Sequence, residues 1–443
     1  MYKPSLHKLS LRPTIITALA YALSALPAIA DSQVRIVRLS DVQGTVQIDK
    51  NSGLGFERAF MNLPITQGTQ LRTLENGRAE VEFEDGSTLR LAPDTTVNFS
   101  RLTLNDASNR LSTVNLVEGK AYVNWLGKSG DEFILNFSSE AVELKQASHF
   151  RVEDSLGKAE IANFKNAVEV AGPAGTIKIE KDKTATFDVN DDDKLTLAKS
   201  VKPDPYDQWD TQSIDYHDQY GKNNPSPYGY GVSDLSYYGG YTNVPGYGML
   251  WQPYFAGAAW NPFMDGAWSW YPGMGFMWAS AYPWGWMPYY YGNWMYAPGY
   301  GWGWQPGTWN TWHGGLHYVG AMATDFHAPV PPTGTVNPTI VGRGGVVATK
   351  VTDTMLVSAG SAGLGIPRGS YANLGGLSKK VAKAKTASIQ LHAAPEFATT
   401  SAHWGPFGNA GVRSAGLSEP GHAASAAAGH STGIGAGSGH AGR

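Results

Sequence analysis

The unit Trp-x-Trp-x-Pro occurs three times, at Trp268–Pro272, Trp284–Pro288 and Trp302–Pro306, with a reduced copy at Trp251-Gln252-Pro253. The full copies start 16 and 18 residues apart, and a further tryptophan follows each of them, at Trp278, Trp294 and Trp309. Repetition at one spacing marks a structural unit. Proline fixes φ and lacks a backbone donor, so no helix can run through such a unit, and tryptophans two apart share one face of an extended segment. Short strands or polyproline-like pieces with stacked rings are predicted. Each buried ring withdraws roughly 150 to 250 Å² from water, so a compact module needs few aliphatic residues. The alternative is that Trp251, Trp268, Trp270, Trp284, Trp286, Trp294, Trp302, Trp304 and Trp309 stay open as stacking platforms. Aromatic faces suit sugar rings and quaternary ammonium groups, and exposed patches of them mark interfaces.

Composition divides the chain around this array. Residues 31–200 alternate charged and β-branched residues, 201–248 read as a connector, 249–312 carry the repeats, and 313–443 are rich in Gly, Ala, Ser and His. The last stretch is expected to be a largely disordered tail, because it has little apolar surface to offset chain entropy. Val346 to Val357 alternates enough for an isolated strand, and Lys379 to Lys385 form a small basic cluster.

The N-terminal part reads most clearly between Arg78 and Leu91. Ala79, Val81 and Phe83 fall on one face and Glu80 and Glu82 on the other, the pattern of a half-buried strand whose acidic face meets solvent. Glu84-Asp85-Gly86-Ser87 reverses the chain, since Asp-Gly supplies positive φ angles, and Leu89 and Leu91 resume the inner face with Arg90 outside. Comparable runs recur at Thr45–Ile48, Lys120–Trp125, Phe133–Phe137, Ser148–Glu153, Ala159–Phe164 and Thr184–Val189, with no amphipathic helix between them. The expected fold is mainly β: an antiparallel β sandwich, roll or short β-solenoid head, an aromatic Gly/Pro-rich extension with short strands, and the tail.

Gly44-Thr45-Val46, Gly68 to Thr73, GRAEVEFEDGSTLRL from Gly77 to Leu91, and EGKAYV from Glu118 to Val123 resemble the FecR-type periplasmic domain over about Val34 to Val170. The resemblance implies an antiparallel β fold that recognises proteins, as in iron-siderophore signalling. Pro283 to Trp309 is similar to an aromatic region of unassigned function that follows FecR-like domains in bacterial envelope proteins. Relatives carry Asp and Trp followed by Arg-Asp in the connector, whereas Asp207-Gln208-Trp209 leads here into Ile214-Asp215-Tyr216.

Lys3, Lys8 and Arg12 precede an uncharged run from Thr14 to Leu26, and Ala28 and Ala30 form an Ala-x-Ala site before Asp31. This is the pattern of a secretory signal over residues 1–30, and it predicts export to the periplasm or outer envelope with no membrane span in the mature chain. About a dozen residues precede the apolar run, too few for a folded cytoplasmic domain that would hold a sigma factor. The chain has no cysteine, which excludes disulfides, thiolate metal sites and a cysteine nucleophile. A net charge of -3 gives no basic stripe for nucleic acid.

No catalytic or metal-binding motif emerges. Asp188 to Asp193 begins like a calcium loop, but Asp193 stands where glycine is needed and Lys199 where a bidentate Glu is needed. His392, His403, His422, His430 and His440 lack companions at ligand spacing. Neither G-x-S-x-G nor H-E-x-x-H occurs. The expectation is a non-enzymatic envelope protein without cofactor, whose partner is an envelope protein or a cell-wall polysaccharide. A sensory component of a surface-signalling system is the alternative, and carbohydrate binding through the tryptophans a further one.

Overall fold

Period-two alternation leaves a strand with one apolar face, and in the head these faces pair into two sheets around one core. The computed structural model describes residues 35–390 apart from 156, 174, 192, 223–225, 310, 324, 335–338, 343–348, 352–353 and 385. The signal over residues 1–30 and the five tail histidines lie outside the described residues.

The first sheet runs in the order Pro64–Ile65, Val37–Gln43, Arg78–Glu82, Thr88–Leu91, the second half of Arg110–Trp125, Ser148–Ser155, Lys158–Lys165, Lys183–Asp188 and Lys194–Ala198, all antiparallel. The second runs Glu57–Arg58, Val46–Asp49, Gln70–Thr73, Thr96–Leu104, the first half of Arg110–Trp125, Glu132–Phe137, Glu140–Leu144, Val168–Gly172 and Gly175–Ile179. One ladder departs from the antiparallel expectation: Glu132–Phe137 pairs in parallel with Leu111–Leu116. The long strand Arg110–Trp125 belongs to both sheets and crosses between them at Gly119, whose φ is +95°. A Cβ there would lie 2.4 Å from the Asp94 carbonyl oxygen, so only glycine fits. Val81, Leu89, Leu91 and Val123 of the first sheet meet Val97, Val114, Leu135 and Phe137 of the second in a single core.

The repeats are not equivalent in structure. Trp268-Ser269-Trp270 lies in the strand Asp265–Tyr271, with Trp268 opposite Trp278 of Gly275–Ser280. Trp302-Gly303-Trp304 lies in Gly301–Gln305, with Trp304 opposite Trp294 of Asn293–Ala297. In both hairpins the tryptophan outside the motif is the cross-strand partner of one inside it. The middle copy forms no strand; Trp284-Gly285-Trp286 turns into the short helix Met287–Tyr290, with Pro288 in its first turn, where proline is tolerated.

The connector folds into two helices, Asp207–Tyr220 (α1) and Val232–Tyr238 (α2). Part of the stretch after residue 313, expected to be largely disordered, is also structured. Thr349–Val351, Thr354–Ser358 and Thr386–Gln390 form a sheet, and Leu374–Ala384 is a helix. Met355, Val357, Leu364, Ile366, Leu374, Leu377 and Val381 are buried with the tryptophans, so sparse apolar residues suffice when an aromatic core receives them.

Candidate functional site

The largest cluster of interacting charges among these elements lies on the outer face of the first sheet, where solvent was expected. Glu80 and Glu82 are each 1% exposed and Arg90 is fully buried, because α1, α2 and the segment carrying Arg368 cover that face. An exposed acidic strand is therefore ruled out. Alternation places these side chains on one face, but it does not say whether that face meets water or a cover of complementary charge.

Each carboxylate has more than one basic partner. Arg368 donates from Nε and Nη2 to the two oxygens of Asp234, at 2.8 and 2.7 Å, from Nη1 to Glu80 Oε1 at 2.8 Å, and from Nη2 to the Ser40 carbonyl at 2.8 Å. Arg90 bridges Glu80 and Asp210 of α1, both at 2.8 Å. Arg38 lies 3.1 Å from Glu82 and 2.7 Å from Asp234 of α2. His217 Nε2 is 3.0 Å from Glu80 Oε1, and His149 Nε2 is 2.6 Å from Asp210 Oδ2. The Gly231 amide at the start of α2 donates to Glu82, and the Tyr216 hydroxyl donates to Asp234.

Burial pushes the Glu80 carboxyl up, but His217, Arg90 and Arg368 outweigh it and hold the group well below the usual carboxylate range. Asp234 is lowered in the same way, with Arg368 and Arg38 overcoming its burial. Glu82 goes the other way: burial raises it beyond what His217 and Arg38 restore.

Further contacts extend this seam. Trp209 of α1 packs under Arg78, 5.2 Å from ring to guanidinium, and edge-on to Tyr122. Asn62 donates to the Ser280 and Tyr282 carbonyls, Arg38 Nη2 to that of Pro283, and the Tyr271 hydroxyl to that of Pro64. Lys50 donates to Ser269 at 2.7 Å and pairs with Glu57. Ser269 is fully buried, so this serine and lysine have no space beside them for a substrate. The carboxylates and cations together form a sealed structural network, not a cleft.

Of the nine tryptophans expected as possible platforms, Trp251, Trp268, Trp284, Trp286, Trp294, Trp302 and Trp304 are buried, while Trp270 and Trp309 are partly exposed. A buried ring offers no open stacking platform at the surface. Rings pack on rings instead: Tyr282 stacks on Trp284 at 4.9 Å, and Trp251, Trp260 and Trp294 surround Trp284. Among the described residues no group of three or more His, Asp or Glu side chains is arranged to hold a metal ion. No helix among them is long and apolar enough to cross a membrane.

Residues 69–169 match the FecR protein family, and residues 232–332 match a family of unknown function (DUF6600). The chain carries a FecR-like domain. Two crystal structures of a Parabacteroides distasonis protein, provisionally assigned as an anti-sigma factor, are similar at 17% and 16% identity and TM-score 0.26. The match covers 30% of this chain and spans 59% of the length of those chains. No curated protein matches.

Proposed function

We propose that this chain is a non-enzymatic recognition component of FecR type, exported to the periplasm or outer envelope, in which the aromatic extension and the head act as one body. The observation that carries the reading is the seam: Glu80 and Glu82, the only acidic pair at adjacent outward positions of the hairpin strand, are consumed by Arg38, Arg90, Arg368 and His217. They are thereby unavailable for acid–base chemistry. The FecR-like domain supports a protein partner in signalling, and the burial of seven tryptophans weighs against an aromatic arm that grips cell-wall polymer.

The test is cross-linking of the full chain in intact cells of its own host, followed by mass spectrometry of captured envelope proteins, beside sedimentation with purified peptidoglycan. Reproducible capture of a membrane signalling protein supports the proposal. Sedimentation with peptidoglycan and no protein partner overturns it. Intact mass of the purified chain, with cleavage expected after Ala30, tests export.

A further inference from the structure

The strand Gly239–Val244 lies at the edge of its five-stranded sheet and, among the described residues, pairs only with Gly248–Pro253. The parity of that ladder can be read from two neighbours. The Tyr254 amide donates to the Tyr238 carbonyl at 2.7 Å, and Trp251, opposite Tyr241, pairs on its other side with Trp304. In an antiparallel ladder, positions alternate between bonding inward and facing out. The main-chain N–H and C=O groups of Tyr241 and Asn243 therefore point away from the sheet, and among the described residues no hydrogen bond outside the ladder reaches them. Tyr241, Thr242 and Asn243 are exposed, with no charge, proline or bulge to blunt the edge.

Beside this edge lies a cavity of about 200 Å³ whose wall includes Gly239, Gly240 and Tyr241 of the strand itself. Val232, Leu235, Trp251, Met287 and Trp309 line the rest, together with two serines and no charged side chain. A dry cavity of roughly 150 Å³ holds a benzene molecule, so this one accepts a leucine or phenyl side chain. A Cβ at Gly239 would lie 2.3 Å from the Trp251 ring, so the glycine lets that ring close against the strand and form the cavity wall.

We propose that Gly239–Val244 takes up an extended segment of a partner protein as an added strand, with one large uncharged apolar side chain seated in the Trp251–Trp309 cavity. Main-chain pairing supplies affinity without sequence preference, and the cavity supplies the selectivity. The inference rests on the recognition reading for its biological meaning, while the binding itself is testable apart from that reading.

The probe is a capped, fluorescein-labelled seven-residue peptide that alternates threonine and valine around a central leucine, with anisotropy read against the full-length chain. Binding is expected to weaken at least tenfold when the centre becomes aspartate, when the peptide's alternate amides are N-methylated, or when Ser236→Phe fills the cavity. Tyr241→Pro removes an outward N–H, which an edge strand tolerates, and should do the same. The N-methylated peptide leaves the protein untouched, so a misfolded variant cannot mask the result. Absence of binding, or binding indifferent to N-methylation, overturns the strand-addition proposal but leaves the capture of a signalling partner standing. Self-association of the chain that Tyr241→Pro abolishes, with no peptide binding, assigns the edge to a second copy and likewise overturns it.

Discussion

Arg368 is the most informative residue to remove, because it comes from the region expected to lack structure and reaches both the head and α2. Its guanidinium makes four charge-assisted or carbonyl hydrogen bonds, to Asp234, Glu80 and Ser40, and packs 5.5 Å from the Tyr216 ring. Arg368→Met keeps much of the stem's volume and deletes the charge. Breaking a buried pair by removing one partner costs about 3 to 5 kcal/mol, mostly from the charge left behind. Here Asp234 keeps Arg38 and Tyr216, and Glu80 keeps Arg90 and His217, so the lower end, ~3 kcal/mol, is expected. Arg368→Lys retains charge without the planar fork and should cost about half as much, roughly 1.5 kcal/mol. Urea unfolding followed by tryptophan emission measures both, and limited proteolysis should show earlier cleavage between Leu364 and Val381 in the methionine variant. A loss below about 1 kcal/mol for Arg368→Met, with unchanged proteolysis, would refute the claim that this segment is locked to the head through Arg368.

The other predictions concern titration, backbone and rings. A depressed pKa gives stability that is present above the unfolded value, near 4.5 for Glu80, and lost as pH falls through the folded value. The penalty of Glu80→Gln should therefore grow between pH 3 and pH 7. Glu82 is raised, so its contribution is fully present below the unfolded pKa and declines as pH rises through the folded one; the penalty of Glu82→Gln should shrink over that range. Parallel pH profiles for the two variants would contradict the opposite shifts. Gly119→Ala would force a Cβ to within 2.5 Å of Thr95 Cα and hold alanine at a φ of +95°; expect a loss above about 3 kcal/mol, or no soluble protein, and a melting temperature within a few degrees of the parent would show that the strand crosses differently. Trp284→Ala should cost about 3 to 5 kcal/mol, and iodide should quench only a small fraction of the parent's emission; extensive quenching would place the rings outside the core.

The inner architecture of the head was legible because its signals are local. Ala79, Val81 and Phe83 alternate, Asp85-Gly86 turns, and Leu89 and Leu91 resume, and each of these is buried or turned as read. The outer face was not, since most of what covers it comes from far along the chain: Asp210 pairs with Arg90, and His217 and Arg368 pair with Glu80. A signal was nevertheless present: Arg38, Arg90, Glu80 and Glu82 put opposite charges at outward positions of three neighbouring strands, and Asp210 and Asp234 recur in acidic, aromatic surroundings downstream. The helix Leu374–Ala384 was also within reach, because Leu374, Leu377 and Val381 keep helical spacing and Asn373 accepts a hydrogen bond from the Gly376 amide at its start. Gly375 and Gly376 and the surrounding Gly, Ala and Ser concealed it. The tryptophan motif defined a repeat but not its fold, because the pairing partners Trp278 and Trp294 lie outside the motif.

The chemistry of the seam explains how two such different surfaces find one register. An aromatic core is permissive: rings pack edge-on or stacked over a range of angles, and Trp284 alone meets neighbours at interplanar angles from 10° to 65°. Rings by themselves would allow the extension to settle on the sheet in several ways. A buried carboxylate is not permissive, since any placement that leaves it unpaired pays its desolvation without return. Arg38 therefore has to meet Asp234, Arg90 has to meet Asp210, and Arg368 has to meet Glu80 together, and one docking satisfies all three. Apolar replacements would match such pairs in stability, so what the ions contribute is selection among packings that the tryptophans alone tolerate.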